Sequence, residues 1–309
     1  MTPPRHILPG KIWFLTRRTH GRRFRLRPCA FLVQLFVFVL FYYAKKYDIG
    51  VVGYCCQSNH YHMVIVDRSG RLPEFARDFN AFIARALNAK HKIRDSLWSG
   101  DGLSAIALVT PEEVVRKLAY TAANPVAAGA VRFGRDWPGP RSHAGYFCRT
   151  TTSRRPEFFV RSSSKMPVLV EHKLVVPPTH AHLTPDQFSG IVGQAIGKAE
   201  TAARQERDAS GLGFLGAEAC LDTDPHQAPT VPEPARRSRP GPISEPDREK
   251  RQPALEQVLG FRRRYRERRH EWLSGDRTAL WPSGTWKMVA VHASRSHPPP
   301  IPSPVTVFA

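Results

Sequence analysis

Two histidines separated by one residue, His60 and His62, are the first candidates for chemistry in this sequence. They open a run of aromatic and β-branched residues that predicts a β-strand. Side chains two apart on a strand face the same way, so these imidazoles should project together while Tyr61 points to the other face. That arrangement suits two ligands of one metal ion. His-x-His pairs also occur in zinc hydrolases and cupin-like barrels or can be purely structural, so the pair alone leaves metal binding open.

A second candidate pair, Tyr120 and Asn124, lies about 60 residues later in a segment with helical spacing. Positions four apart on a helix share one face, so a phenol and an amide oxygen would lie side by side. One surface could thus supply a hydroxyl nucleophile and a further metal ligand. The simpler alternative makes Tyr120 a half-buried aromatic and Asn124 a helix C-terminal cap, and the two residues alone favour that alternative.

The segments around the histidines predict the elements that must position them. Residues 11–19 have the composition of a strand, and residues 29–47 predict an apolar helix. Residues 50–57 and 60–67 flank a turn-like Ser-Asn dipeptide and predict a β-hairpin. An amphipathic helix over 71–92 and a short strand at 105–109 follow. This order fits an α+β domain in which helices cover one face of an antiparallel sheet.

The helix that contains Tyr120 has clear start and stop signals. Thr110 is a good N-cap, Pro111 suits the first helical position, and Glu113 can complete a capping box. Pro125 lacks a backbone donor and disfavours helical geometry in the residue before it, so the helix should end at Asn124.

The second half of the chain differs in composition. A helix opened by Thr184-Pro185-Asp186-Gln187 should run to about Arg207, and a basic helix should span Leu255–Leu273. The predicted divisions are a catalytic domain (1–165), a helical extension (166–223), a linker with eight prolines (224–253), a basic helical segment (254–296) and a disordered tail (297–309).

Composition restricts the class of partner. The net charge of +20 favours an anionic partner such as nucleic acid or an acidic membrane surface. Five cysteines without a C-x-x-C pair disfavour a disulfide framework and a structural zinc site. The N-terminus lacks the pattern of a secretory signal, so we expect a cytoplasmic protein.

Residues 28–44 are uncharged and almost wholly apolar. A membrane helix and a helix buried against a sheet both explain them, although the stretch is at the lower edge of what crosses a hydrocarbon core of about 30 Å. The strand-like segments that follow favour the buried helix, and we expect no membrane contact.

The segments 58–64 (SNHYHMV) and 120–131 (YTAANPVAAGAV) together make the sequence recognisable. In this order and spacing they resemble the REP-associated tyrosine transposases, which are relatives of the single-tyrosine insertion-sequence transposases. The resemblance runs from about residue 5 to about residue 145, and the two motifs together are much more specific than either alone.

This resemblance implies a ferredoxin-like core of the His-hydrophobic-His type that acts on single-stranded or hairpin DNA. His60 and His62 would bind Mg²⁺ or Mn²⁺ beside the scissile phosphate, with Asn124 as third ligand. Magnesium prefers oxygen donors, so a site with two histidines suits manganese at least as well. Tyr120 would attack phosphorus and form a 5′-phosphotyrosine bond, which a second DNA end can reseal without ATP. A phenol has an ordinary pKa of about 10, so the ion or Lys117 would have to assist its deprotonation.

Basic residues fit such a substrate. Residues 1–30 contain eight Lys or Arg and no acid, with Trp13 and Phe24 among them as candidate stacking platforms. The residues expected to contact DNA are Arg17, Arg18, Arg22, Arg23, Arg25 and Lys117. The alternative is a solvated basic face. A second basic cluster, residues 262–269, could bind DNA outside the predicted active site, or it could be only a charged surface helix.

Other features and other classes of protein compete with this hypothesis. His180 and His182 repeat the spacing of the histidine pair but lie beside two prolines, which predicts an exposed loop. The rival classes are a DNA-structure-binding protein without catalysis, a two-histidine metallohydrolase that uses activated water, and a membrane protein anchored by residues 29–44. Monomer and homodimer both remain open. Tyr120 separates the rivals, because only the transposase needs its hydroxyl.

Overall fold

The computed structural model describes residues 3–160, 165–230 and 241–300. The strands in these ranges are Lys11–Arg18 (β1), Ile49–Cys56 (β2), His60–Asp67 (β3), Ser104–Leu108 (β4), Thr151–Arg154 (β5), Leu169–His172 (β6) and Ile243–Ser244 (β7). The α-helices are Ala30–Lys46 (α1), Leu72–His91 (α2), Pro111–Ala127 (α3), Pro185–Ala209 (α4), Ala217–Asp222 (α5), Arg248–Leu273 (α6) and Lys287–His292 (α7).

The fold is α+β, built on a five-stranded sheet in the order β2-β3-β1-β4-β7. The first four strands pair antiparallel, whereas β7 pairs parallel with β4, so the sheet is mixed rather than antiparallel as predicted. Strand β7 comes from the stretch predicted to be a linker. Proline did not prevent this pairing because Pro242 contributes only its carbonyl, which accepts a hydrogen bond from the Ala107 amide at 2.9 Å.

Helices cover both faces of the sheet, which corrects the prediction of helices on one face only. Tyr61 of β3 packs on the face covered by α1 and α2, 5.9 Å from the ring of Phe36 and 5.6 Å from that of Phe79. We call this the core face. His62 points to the opposite face, where its ring centre lies 5.2 Å from that of Tyr120 on α3. We call this the site face. Strands β2 and β3 are apolar on both sides, so both sides need cover.

Helix α1 owes its apolar composition to burial on several sides. It packs against α2, β2 and the β5–β6 hairpin, and it places residues such as Leu35 and Phe36 in the core. Within the part of the chain that the structure describes, no helix has both the length and the hydrophobicity needed to cross a membrane.

Helix α3 begins at Pro111 as predicted, but it does not end at Asn124. It continues through Pro125 to Ala127. The stop signal is Gly129, which has a φ of 71°. Its amide donates to the Val126 carbonyl at 2.9 Å, a C-terminal arrangement that favours glycine. Asn124 is therefore inside the helix, where its side chain stays on the same face as Tyr120.

The C-terminal half is joined to the core more closely than the predicted divisions suggest. Residue 165 falls between β5 and β6, which pair with each other, and α4 packs along α3 with Phe188 inside the main core. Helix α6 starts at Arg248 rather than Leu255, because Asp247 caps it. At the start of the predicted tail, the His297 amide donates to the Trp281 carbonyl at 2.9 Å. Residues 231–240 of the predicted linker and 301–309 of the predicted tail lie outside the described residues.

Candidate active site

Strand β3 presents His60 and His62 on the site face, with their ring centres 4.8 Å apart. The neighbouring strand β1 runs antiparallel and places Thr16 opposite His62 and Arg18 opposite His60. The side-by-side projection predicted from the two-residue strand period is therefore present.

His62 is nearly inaccessible, with 4% of its surface exposed. Its Nδ1 lies 2.8 Å from the Thr16 hydroxyl, and its Nε2 is buried without a hydrogen-bond partner. Burial, reinforced by the charges of His60, Arg18 and Lys117, holds the pKa of His62 well below its ordinary value. The imidazole is therefore neutral at pH 7. A neutral ring with an unpartnered buried nitrogen is the form that binds a metal ion.

The tautomer of His60 follows from its neighbour Asn59. The Asn59 amide nitrogen donates to the Arg22 carbonyl at 3.1 Å, which fixes the orientation of the amide. Its oxygen therefore faces His60 Nδ1 at 2.7 Å, and an amide oxygen can only accept. In a neutral His60 the proton would then lie on Nδ1, which makes Nε2 the acceptor nitrogen of the ring.

Helix α3 brings Tyr120 and Asn124 to this surface. Tyr120 is 47% exposed, and its ring centre lies 5.2 Å from that of His62 and 5.9 Å from that of Phe14. The Asn124 side-chain oxygen is buried without a hydrogen-bond partner. The two unpartnered atoms, His62 Nε2 and Asn124 Oδ1, are both of a kind that can coordinate a divalent ion.

Close packing of α3 on the sheet holds these residues in place. A Cβ atom at Gly53 of β2 would lie 2.6 Å from Leu118 Cδ2, so a larger residue there would force the Leu118 side chain to move.

Lys117 is the cation nearest to Tyr120 on the same helix. Its Nζ lies 5.6 Å from the centre of the Tyr120 ring and 5.0 Å from that of Phe14. Burial lowers the pKa of Lys117, the Glu113 carboxylate 3.9 Å away opposes this shift, and Arg116 adds to it. The position suits a contact to a phosphate beside Tyr120.

The predicted DNA-contacting arginines do not all reach this surface. Arg18 lies close enough for its charge to affect His62. Arg17 points to the core face, where its guanidinium lies 5.8 Å from the centre of the Trp98 ring. Arg25 is only 2% exposed and donates to the Ser96 carbonyl at 2.8 Å, so its role here is structural.

The other two predicted DNA-contacting arginines, Arg22 and Arg23, are half-buried. Arg22 and Arg23 lie in the loop that follows β1, where their carbonyls accept hydrogen bonds from Asn59 and Thr19. Trp13 is buried in the core and cannot stack on a base, which corrects its predicted role, whereas Phe24 is partly exposed.

The second histidine pair is not the exposed loop that its surroundings predicted. His180 is buried, with its ring centre 4.8 Å from that of Phe188, whereas His182 is exposed. Among the described residues, no group of three or more His, Cys, Asp or Glu side chains could hold a metal ion. A metal at His60 and His62 would therefore need the Asn124 oxygen or substrate oxygens to complete its coordination.

Sequence reasoning missed Thr16, Asn59 and Glu113 as parts of the site. Asn59 could have been found, because it adjoins His60 in the turn and its amide can bond locally. Thr16 had no local signal, since its place opposite His62 depends on the register between two strands distant in sequence.

Comparison with solved structures shows a distant similarity to a transposase. No protein-family model matches the sequence, and no curated protein matches it. A solved structure of a REP-associated tyrosine transposase bound to a REP hairpin aligns with 45% of this chain and 81% of its own, with 16% identity and a TM-score of 0.39. These values are too low to assign an activity, so the assignment of the site depends on this chain's own geometry.

Proposed function

We propose that this protein is a metal-dependent transposase that cleaves and rejoins single-stranded or hairpin DNA through a tyrosine. The proposal includes a ferredoxin-like core made by β1 to β4 with α1 and α2. The order β2-β3-β1-β4 and the antiparallel pairing of these strands support that assignment.

The observation that supports the function most strongly is the position of Tyr120. Its exposed ring lies against His62, which has an unpartnered buried nitrogen, and one turn from Asn124, which has an unpartnered buried oxygen. An accessible nucleophile beside an incomplete ligand set is the arrangement that phosphoryl transfer needs.

His60, His62 and Asn124 would hold Mg²⁺ or Mn²⁺, and two imidazole ligands favour manganese. When bound, the ion supplies positive charge beside the phosphoryl oxygens. Thr16 and Asn59 orient the two imidazoles through their Nδ1 atoms.

Side chains of the protein would carry out the cleavage of the DNA strand. The Tyr120 oxygen attacks phosphorus, the bond to the 3′ oxygen breaks, and the products are a 5′-phosphotyrosine and a free 3′-hydroxyl. The Lys117 ammonium and Arg18 would contact the phosphate. Attack by a 3′-hydroxyl on the phosphotyrosine reverses the step, so strands can be rejoined without ATP.

DNA is the proposed substrate because of the net charge of +20 and the two motifs that resemble the transposases. We propose direct DNA contacts for Arg18 and Lys117, and peripheral ones for Arg22 and Arg23.

The test is covalent adduct formation with labelled single-stranded hairpin DNA and Mn²⁺. Wild-type chain should form a denaturation-resistant adduct that EDTA abolishes, and Tyr120→Phe should form none while still binding DNA. Tyr146→Phe is the matched control, since Tyr146 is 46% exposed and lies outside the site. Binding without an adduct would favour a DNA-structure-binding protein, and cleavage that survives Tyr120→Phe would favour a hydrolase.

A further inference from the structure

The C-terminal strand β7 lies beside the helix that contains Tyr120. Its ladder with β4 consists of two residue pairs, Ala107 with Ile243 and Leu108 with Ser244. Immediately after β4 the chain enters α3. So short a ladder adds little stability by itself, and side-chain contacts must determine how β7 meets α3.

Two neighbouring residues of this segment bind polar groups in the first turn of α3. The Ser244 hydroxyl donates to Oε1 of Glu113, and the Thr110 hydroxyl donates to Oε2 of Glu245. Thr110 also accepts the Glu113 amide at 3.3 Å as the helix N-cap. Thr110, Glu113 and Glu245 are all buried, where hydrogen bonds to a carboxylate are strong.

Glu113 extends this contact along α3. Glu113, Lys117, Tyr120 and Asn124 follow one another at intervals of three or four residues, so they form one stripe on the helix. Oε1 of Glu113 lies 3.9 Å from Lys117 Nζ, and Oε2 accepts the Arg116 Nε hydrogen at 2.6 Å. The Ser244 hydroxyl and the Lys117 ammonium therefore share one carboxylate oxygen.

We propose that Ser244 is a positioning residue for the nucleophile: through Glu113 it holds Lys117 beside Tyr120, so the C-terminal segment takes part in DNA cleavage. This inference rests on the function proposed above. It gives a role in the reaction to residues beyond the region that resembles the transposases.

Loss of the Ser244 hydroxyl would leave Oε1 of Glu113 with Lys117 alone, while Arg116 keeps its bond to Oε2. The carboxylate can then turn toward Arg116, and the Lys117 ammonium loses its fixed position. A displacement of about 1 Å in a reacting constellation can slow a reaction by about 100-fold. We therefore expect Ser244→Ala to slow cleavage by about 10-fold to 100-fold.

The experiment uses the full chain and a labelled single-stranded hairpin DNA with Mn²⁺. Single-turnover adduct formation and the DNA dissociation constant are measured for wild type, Ser244→Ala, Ser244→Thr and Ser274→Ala. Ser274→Ala is the matched control, because Ser274 is exposed at the end of α6 and bonds only the His270 carbonyl at 3.1 Å. Thermal unfolding verifies that each variant is folded at the assay temperature.

The expected result is a slower adduct step in Ser244→Ala with a dissociation constant within about twofold of wild type. Ser244→Thr keeps a hydroxyl and should restore the rate, and Ser274→Ala should match wild type. A wild-type rate in Ser244→Ala, or equal losses in Ser244→Thr, would overturn this inference alone. No adduct with the wild-type chain would overturn the proposed function, and this inference with it.

Discussion

The two faces of the central sheet differ in the kind of buried polar atom that they leave unpartnered. The unpartnered atoms on the core face include Trp13 Nε1 and Arg17 Nε, which bear hydrogen and cannot bind a metal ion. On the core face, the Tyr61 hydroxyl donates to the Asn80 side chain at 2.9 Å, and the Trp98 indole donates to the Asn80 carbonyl at 2.9 Å. On the site face, His62 Nε2 and the Asn124 oxygen are equally buried but have no partner. Tyr61 and His62 are neighbours on β3, and we infer that Tyr61 stabilises the core whereas His62 is available to bind a ligand.

This contrast explains why burial does not identify function by itself. Tyr61 and His62 are both almost fully buried, yet only His62 has a polar atom left unpartnered. An unpartnered buried group lowers stability and is retained where it has another role. Substitutions on the two faces should therefore affect different measurements.

Replacing the metal-ligand candidate should have the largest effect. We expect His62→Ala to slow adduct formation by about 1000-fold or more, because the charge beside the phosphate would be lost. The free energy of unfolding should change by no more than about 1–2 kcal/mol, since the unpartnered nitrogen is removed along with the packing. Single-turnover kinetics and urea denaturation measure the two quantities. A large loss of stability with little loss of rate would place His62 with the core residues.

For a substitution on the core face we expect the reverse, a large loss of stability with little change in the rate of adduct formation. Phe79 of α2 is fully buried and its ring centre lies 5.6 Å from that of Tyr61. We expect Phe79→Ala to lower the free energy of unfolding by about 3–5 kcal/mol. Any variant that remains folded at low temperature should retain nearly the wild-type rate of adduct formation. A slower rate of adduct formation in folded protein would contradict the assignment of the core face to stability alone.

The residues that orient the imidazoles should have intermediate effects on metal binding. We expect Thr16→Val and Asn59→Ala each to weaken Mn²⁺ binding by about 10-fold to 100-fold, because Nδ1 of a histidine loses its partner. Isothermal titration with Mn²⁺ measures this. Ser69→Ala is a suitable control, since Ser69 is exposed and its hydroxyl bonds Asp48 far from the histidines. Unchanged affinity in both test variants would show that the histidines are not held through Nδ1 as ligands.

The smallest effect concerns pH. The pKa of His62 is held well below its ordinary value of about 6.5 in the folded chain, and burial lowers the pKa of His6 to about 4. As pH falls below about 6.5, the unfolded chain takes up these protons before the folded chain does, so stability falls. Each histidine alone would lower stability by about 2 kcal/mol between pH 7 and pH 5, whereas the buried Asp67, whose pKa is raised to about 6, opposes this change. We expect a net loss of about 2 kcal/mol, measured by urea denaturation. His62→Gln should reduce the slope, and an unchanged slope would contradict the burial of a neutral His62.

Much of the site face was predictable from local patterns. The two-residue period of a strand placed His60 and His62 together, the four-residue period of a helix paired Tyr120 with Asn124, and Thr110 marked the helix start.

The features that could not be predicted depend on contacts between distant parts of the chain. Strand β7 lies inside the proline-rich stretch and pairs with the distant strand β4, and a proline-rich composition gives no local sign of a two-residue strand. Helix α3 passes Pro125 and ends where Gly129 closes the following turn. The partial burial of Arg18 and the full burial of Arg25 likewise depend on tertiary packing that no local pattern encodes.

The most direct measurement of the central claim is peptide mass spectrometry of the wild-type chain after reaction with single-stranded hairpin DNA and Mn²⁺. We expect a nucleotide linked through a 5′-phosphate to the peptide that contains Tyr120. A nucleotide on another residue, or cleaved DNA with no modified peptide, would contradict it.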